Sequence, residues 1–221
     1  MAPVVPNPAR IHAFKDQRAF EKWMRANHNK EPEIWVKVFK KATGVPTVTC
    51  AEALDVALCY GWIDAIRKGL DETAFLQRYT PRRSKSIWSQ VNRDNVARLT
   101  RAGRMTAHGQ KQIDLARADG RWDRAYAPIR ETGAQSIPAD LMKAIKQNPR
   151  ALKTFKTLSK MNLFSLTFRT NNMKTPAGRA RKIAELVEML ARGATIVPEP
   201  PAAAPATEKT PAARRRTTTS R

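Results

Sequence analysis

The run Arg78-Tyr79-Thr80-Pro81-Arg82-Arg83-Ser84-Lys85-Ser86-Ile87-Trp88-Ser89 brings four cations, three serines and a proline together. Planar guanidinium groups grip carboxylate or phosphate oxygens two at a time, and an ammonium adds a compact charge. A strand-like pattern precedes the run and a helical one follows. The amides near Ser84 and Ser86 therefore fall at a helix start, where free N–H groups and the macrodipole favour an anion. Arg78, Arg82, Arg83, Lys85, Ser84 and Ser86 are the predicted anion-binding set. Trp62, Tyr79 and Trp88 offer flat faces nearby, as stacking surfaces or as walls. The plainer alternative is a solvated basic turn bent by Pro81, with Trp88 in the core.

Asp64 is the acid that could act on a ligand held there. Alternation along 62–67 sets Trp62, Asp64 and Ile66 on one strand face, one hairpin away from Arg78. Its carboxylate could orient or deprotonate a bound molecule, or it could simply hold Arg67, Arg78 or Arg82. No other catalytic scheme is visible. His12, His28 and His108 stand in separate segments with no Cys or carboxylate at ligand spacing, so no metal site and no cofactor are expected. HExxH, P-loop and GxSxG patterns are lacking from the sequence.

The charge balance is unusual: 41 Lys and Arg against 19 Asp and Glu give +22 over 221 residues. The segment from Pro198 has five basic and two acidic residues, so +19 belongs to the preceding part. Such a field attracts polyanions, including nucleic acid without sequence preference, or phosphorylated metabolites. The first fourteen residues contain three prolines and no apolar stretch of signal-peptide type. No run approaches the roughly 20 apolar residues of a membrane span. Cys50 and Cys59 fall on one helix, about 13 Å apart, too far for a disulfide. A cytoplasmic protein with both thiols reduced is the expectation.

The elements that must position these residues read as α+β: a small antiparallel sheet with packed helices, then a helical second half. Asp16 caps a helix bearing Phe20, Trp23 and Met24 at buried-stripe spacing. Residues 33–40 alternate as a strand. Thr49-Cys50-Ala51-Glu52 forms a capping box for a helix ended by Gly61. Residues 62–67 and 73–79 make a hairpin around Gly69–Glu72. Ser86 or Ser89 then opens one helix and Thr106 another. The second half offers helices at 139–147, 149–159 and 163–171, then a long one capped by Thr175 with Pro176 in its first turn and Ala180, Ile183, Val187 and Leu190 inward. The predicted organisation is a domain over 1–126, a connector at 127–137, a helical domain over 138–197 and a disordered basic tail over 198–221. That tail lacks large apolar residues, and its Arg214-Arg215-Arg216 suits a polyanion.

Several multi-residue blocks carry a resemblance. Glu52-Ala53-Leu54, Ala57-Leu58-Cys59-Tyr60-Gly61-Trp62-Ile63-Asp64 and the basic run through Ser89 come first. Gly103-Arg104-Met105-Thr106, Asp119-Gly120-Arg121-Trp122, and Thr175-Pro176 followed by Arg179-Ala180-Arg181-Lys182-Ile183 come next. In this order, over roughly residues 14–194, they resemble the YdeI/OmpD-associated family, also described as bacteriocin-protection proteins. Lys174-Thr175-Pro176-Ala177-Gly178-Arg179 departs mildly from the family's Lys-Lys-Pro-Glu-Thr-Arg form. The resemblance implies a role in stress or antimicrobial-peptide tolerance, no assigned reaction, and a C-terminal part similar to YdhG-like α+β domains.

Two function classes fit: a binding module for a small or polymeric anion, or an enzyme on a phosphorylated or carboxylated small molecule with Asp64 as proton carrier. Nonspecific nucleic-acid binding through charge and tail overlaps the first. Oligomeric state is not encoded in any pattern found.

Overall fold

The computed structural model describes residues 4–199, which fall into two compact units, the chain dividing between Glu131 and Thr132. The first holds β1 (Ile11–Ala13), α1 (Gln17–Asn27), β2 (Ile34–Phe39), α2 (Cys50–Cys59), β3 (Trp62–Gly69), β4 (Ala74–Pro81), α3 (Gln90–Arg101) and α4 (Ala107–Ala118). The second holds α5 (Ala139–Lys146), α6 (Pro149–Phe155), α7 (Lys160–Asn171) and α8 (Pro176–Ala191). The fold is α+β in the first unit and, among the described residues, helical in the second.

The four strands lie in the order β1-β2-β4-β3. β2, β4 and β3 pair antiparallel, as alternation predicts, but β1 runs parallel to β2. The sheet is therefore mixed rather than purely antiparallel. α1 provides the crossover that a parallel pair requires, and three residues are too few for β1 to show a period.

Ile34 faces Tyr79, Val36 faces Gln77 and Val38 faces Phe75 across β2 and β4, so these side chains share one surface. That surface packs with Phe20 and Met24 of α1 and with Ala53, Val56, Ala57 and Leu58 of α2. α2 is buried along most of its length because it meets α1, α3, α4 and β3. Its capping box forms as expected, Thr49 Oγ1 accepting from Glu52 N and Glu52 Oε2 accepting from Thr49 N. Gly109 lets α4 close on the end of α2, since a Cβ there would lie 2.4 Å from the Cys59 carbonyl oxygen and 2.7 Å from that of Leu58.

β3 departs from its expected facing. Asp64 opposes Tyr79, but the register shifts before the next pair, and Arg67 opposes Gln77. The Gln77 amide fills the bulge, its Nε2 donating to the Ala65 carbonyl at 3.3 Å. Arg67, not Ile66, thus joins Asp64 on the surface shared with Tyr79, and Ile66 is exposed. A single extra residue reverses the parity, and period-2 reading cannot see it.

The second unit encloses its own core of Leu141, Ile145, Phe155, Leu166, Leu186 and Leu190. Thr175 caps α8 as predicted, its Oγ1 accepting from Gly178 N at 3.1 Å. The buried stripe, however, is Leu186 and Leu190 flanked by Ile183 and Val187, while Ala180 is exposed. Buried Asn162 binds the chain after α8: Oδ1 accepts from Ile196 N and Val197 N, and Nδ2 donates to the Val197 carbonyl and to Glu199 Oε1. Of the predicted tail, Pro198 and Glu199 belong to the described residues; the expected disorder over 200–221 lies outside them.

Candidate functional site

The basic run does not converge as its spacing suggests. Arg78 sits mid-strand opposite Trp35, on the sheet surface away from Tyr79. Glu33 holds it there, Oε2 accepting from Nε at 2.6 Å and lying 2.5 Å from Nη2. Arg78 is thus a neutralised strand residue and is separated from the loop that follows. Arg83, Ser84 and Lys85 are exposed, and no ion pair holds Arg83 or Lys85 among the described residues.

Ser86 is a turn former rather than a helix start. Its hydroxyl accepts from Arg83 N at 2.9 Å, and its carbonyl accepts from Arg121 Nη1 at 2.8 Å. Ser89 is the helix cap, accepting from Asn92 N at 3.1 Å. The difference arises because residues 88–90 are pinned from outside: Tyr126 N donates to the Trp88 carbonyl and Gln90 N to that of Tyr126. The chain cannot turn helical before that ladder ends.

Arg82 is the cation that the fold buries. It is 6% exposed, and its guanidinium carbon lies 3.4 Å from the centre of the Trp88 ring. Nη1 donates to the Ile87 carbonyl at 3.2 Å. Nε and Nη2, the two donors on the side-on edge of the guanidinium, are shut from water and have no hydrogen-bond partner. That edge is the fork that accepts a carboxylate or phosphate two oxygens at a time. Burial pushes Arg82 down from its ordinary value to about 10, the nearby Asp64 charge opposing the change.

Trp62, Tyr79 and Trp88 are 1%, 0% and 2% exposed, so none presents a free stacking face. Trp62 donates to the His28 carbonyl at 3.0 Å, and Tyr79 to that of Cys50 at 3.4 Å. They are walls and core. Trp88 meets Trp122 edge-on at 4.9 Å, and Arg93 and Arg117 stand over Trp122 at 5.2 and 5.3 Å. Arg82 therefore ends a ladder of cations and indoles whose quadrupoles favour charge at this position.

Asp64 lies beside this ladder with its side chain open to solvent. Surrounding protein raises its carboxyl above the ordinary value, while Arg82 and Arg67 pull the other way. Among the described residues no Arg or Lys pairs with it in an ion bridge. Arg67, the nearest candidate on its own strand, is engaged elsewhere: Nε donates to Gln77 Oε1 at 3.2 Å, Nη2 to Cys50 Sγ at 3.3 Å, and the guanidinium covers Phe75. Cys50 and Cys59 are both unpaired thiols; burial raises Cys50 and pushes Cys59 up to about 11, so neither is primed as a thiolate. Tyr126 completes the cluster, its phenol raised by burial and bonded to the Ser89 side chain.

Tyr126 and Arg121 were not among the predicted site residues, and Arg67 entered only as a possible partner of Asp64. The bulge hid Arg67, and the other two come from a segment whose only signal was the block Asp119-Gly120-Arg121-Trp122. No group of three or more His, Cys, Asp or Glu suited to a metal occurs among the described residues. A hollow of about 460 Å³ lies instead along one face of α4, between Ala107 and Ala118. No helix among the described residues is long and apolar enough to cross a membrane.

A family model described as bacteriocin-protection, YdeI or OmpD-associated matches residues 135–193, the span of α5 to α8. Over this segment the chain is similar to the YdeI/OmpD-associated family. The first unit matches a different model, a domain of unknown function (DUF8412), over residues 12–112. The YdeI/OmpD-associated match thus excludes the Arg82 cluster, and the blocks from Glu52 to Ser89 lie in the second match. Neither the curated proteins nor the solved structures provide a significant match.

Proposed function

We propose that this YdeI/OmpD-associated protein is an intracellular binding module for a small anion, acting in protection against bacteriocins or related stress. The observation that carries this reading is the Arg82 fork. Two unpaired donors in a buried guanidinium disfavour the unliganded state by about 1–3 kcal/mol each, and an anion that takes both recovers that energy. The protective role rests on the family description, and residence in the cytoplasm on two unpaired thiols. The same fork is compatible with an anion carried on a polymer, and the +22 charge would speed its arrival.

Titration calorimetry with phosphate, acetate and sulfate tests the proposal. The Arg82→Met protein should lose about 100-fold or more in affinity, as expected when a charge-assisted bidentate pair is removed. Arg83→Ala with Lys85→Ala should change affinity only slightly and reduce its salt dependence. The opposite ranking would place binding on the exposed loop and discard Arg82. A second reading, an enzyme with Asp64 as proton carrier, is favoured by the raised carboxyl. Asp64→Asn should then retain ligand and lose turnover.

A further inference from the structure

Resting on the anion-binding reading, we infer that the ligand of the Arg82 cluster is a small zwitterion of the α-amino-acid class, carboxylate in the Arg82 fork and ammonium at Asp64. Three observations lead there. The fork is oriented, because Trp88 covers one face of the guanidinium and the Ile87 carbonyl takes Nη1, leaving Nε and Nη2 to receive two oxygens edge-on. A planar carboxylate fits that approach without turning the side chain off its ring.

Asp64 provides the second. It projects from β3 two residues after Trp62, while Arg82 leaves the paired strand at the same end, its N donating to the Gly61 carbonyl at 3.0 Å. Its carboxylate has no ion-pair partner among the described residues, although two arginines lie near enough to influence it. A ligand bearing only negative charge would meet repulsion from it; one with an adjacent ammonium satisfies both unpaired groups at once. The third is Arg67, which cannot supply the missing cation because Gln77, Cys50 and Phe75 hold it. Both Arg82 donors are screened from water, so entry requires local side-chain movement.

The test uses glycine, acetate, methylamine and inorganic phosphate as probes of the full chain, followed through the Arg82 Nε–H resonance and by calorimetry. Glycine should bind at least tenfold more tightly than acetate or phosphate and shift that resonance. Asp64→Asn should erase the preference while leaving acetate affinity equal or improved. If acetate or phosphate equals glycine in the wild-type chain, or if Asp64→Asn keeps the preference, the zwitterion assignment is wrong and the anion site stands. If no probe moves the Arg82 resonance, the anion-binding reading itself fails.

Discussion

Replacing Arg82 by methionine should leave the protein as stable as before or slightly more stable, an unusual outcome for removing a buried charge. The magnitude follows from the surroundings of the side chain. Lowering the guanidinium from its ordinary value to about 10 means that the folded state disfavours its charged form by about 3 kcal/mol near neutral pH. Methionine removes that handicap. It forfeits the desolvated cation–π contact with Trp88, worth about 2 kcal/mol, and returns part of it through sulfur–aromatic contact. The Ile87 carbonyl loses its donor, but Ile87 is exposed and water can replace it. The balance is between zero and about 1 kcal/mol of added stability, or roughly 3 °C in Tm for a unit of this size.

Urea unfolding of both proteins measures it directly. A pH series supplies the sign: the depressed group binds fewer protons when folded, so wild-type stability rises relative to the variant as pH climbs from about 10 towards the ordinary guanidinium value. The two curves should meet and then cross in that window, because the penalty relieved exceeds the initial gap. A loss above about 2 kcal/mol on substitution, or a gap indifferent to alkaline pH, would show that Arg82 is a satisfied structural residue. The inference of a waiting fork would then fall.

Gly109→Ala should destabilise the first unit by about 1–3 kcal/mol through overpacking, because its Cβ would meet the Cys59 carbonyl and Met105 Sδ at 2.4 Å; denaturant midpoints read this. Asn162→Ala should accelerate amide exchange at Ile196 and Val197, whose N–H groups it receives, by the equivalent of about 1–3 kcal/mol. Asp140 is held below the ordinary carboxylate range by Arg179, so its contribution is present above its unfolded value and is lost as pH falls through the folded one. Acid unfolding of Asp140→Asn should lack that component, and an unchanged acid limb would remove the pair from the account.

What the chain could say about itself was local. Asp16, Thr49, Thr106 and Thr175 mark helix starts through a hydroxyl or carboxylate that accepts from a backbone amide three residues on. The hairpin of β3 and β4, the strand β2 and four helices of the second half were legible for the same reason: their signals repeat within a few residues. The run from Arg78 to Ser89 was legible as basic but not as arranged.

Its arrangement was decided by partners distant in sequence. Glu33 claims Arg78 from 45 residues away, Arg121 clamps the Ser86 carbonyl from 35, and Tyr126 delays the helix until Ser89. A bulge fixed by Gln77 sets Arg67 opposite Gln77, on the sheet surface that period-2 alternation assigns to Ile66. Side-chain charge and type are written in the sequence, because each is a property of one residue. Whether a charge ends in water, against a carboxylate or buried over an indole depends on which surfaces meet, and only packing settles that.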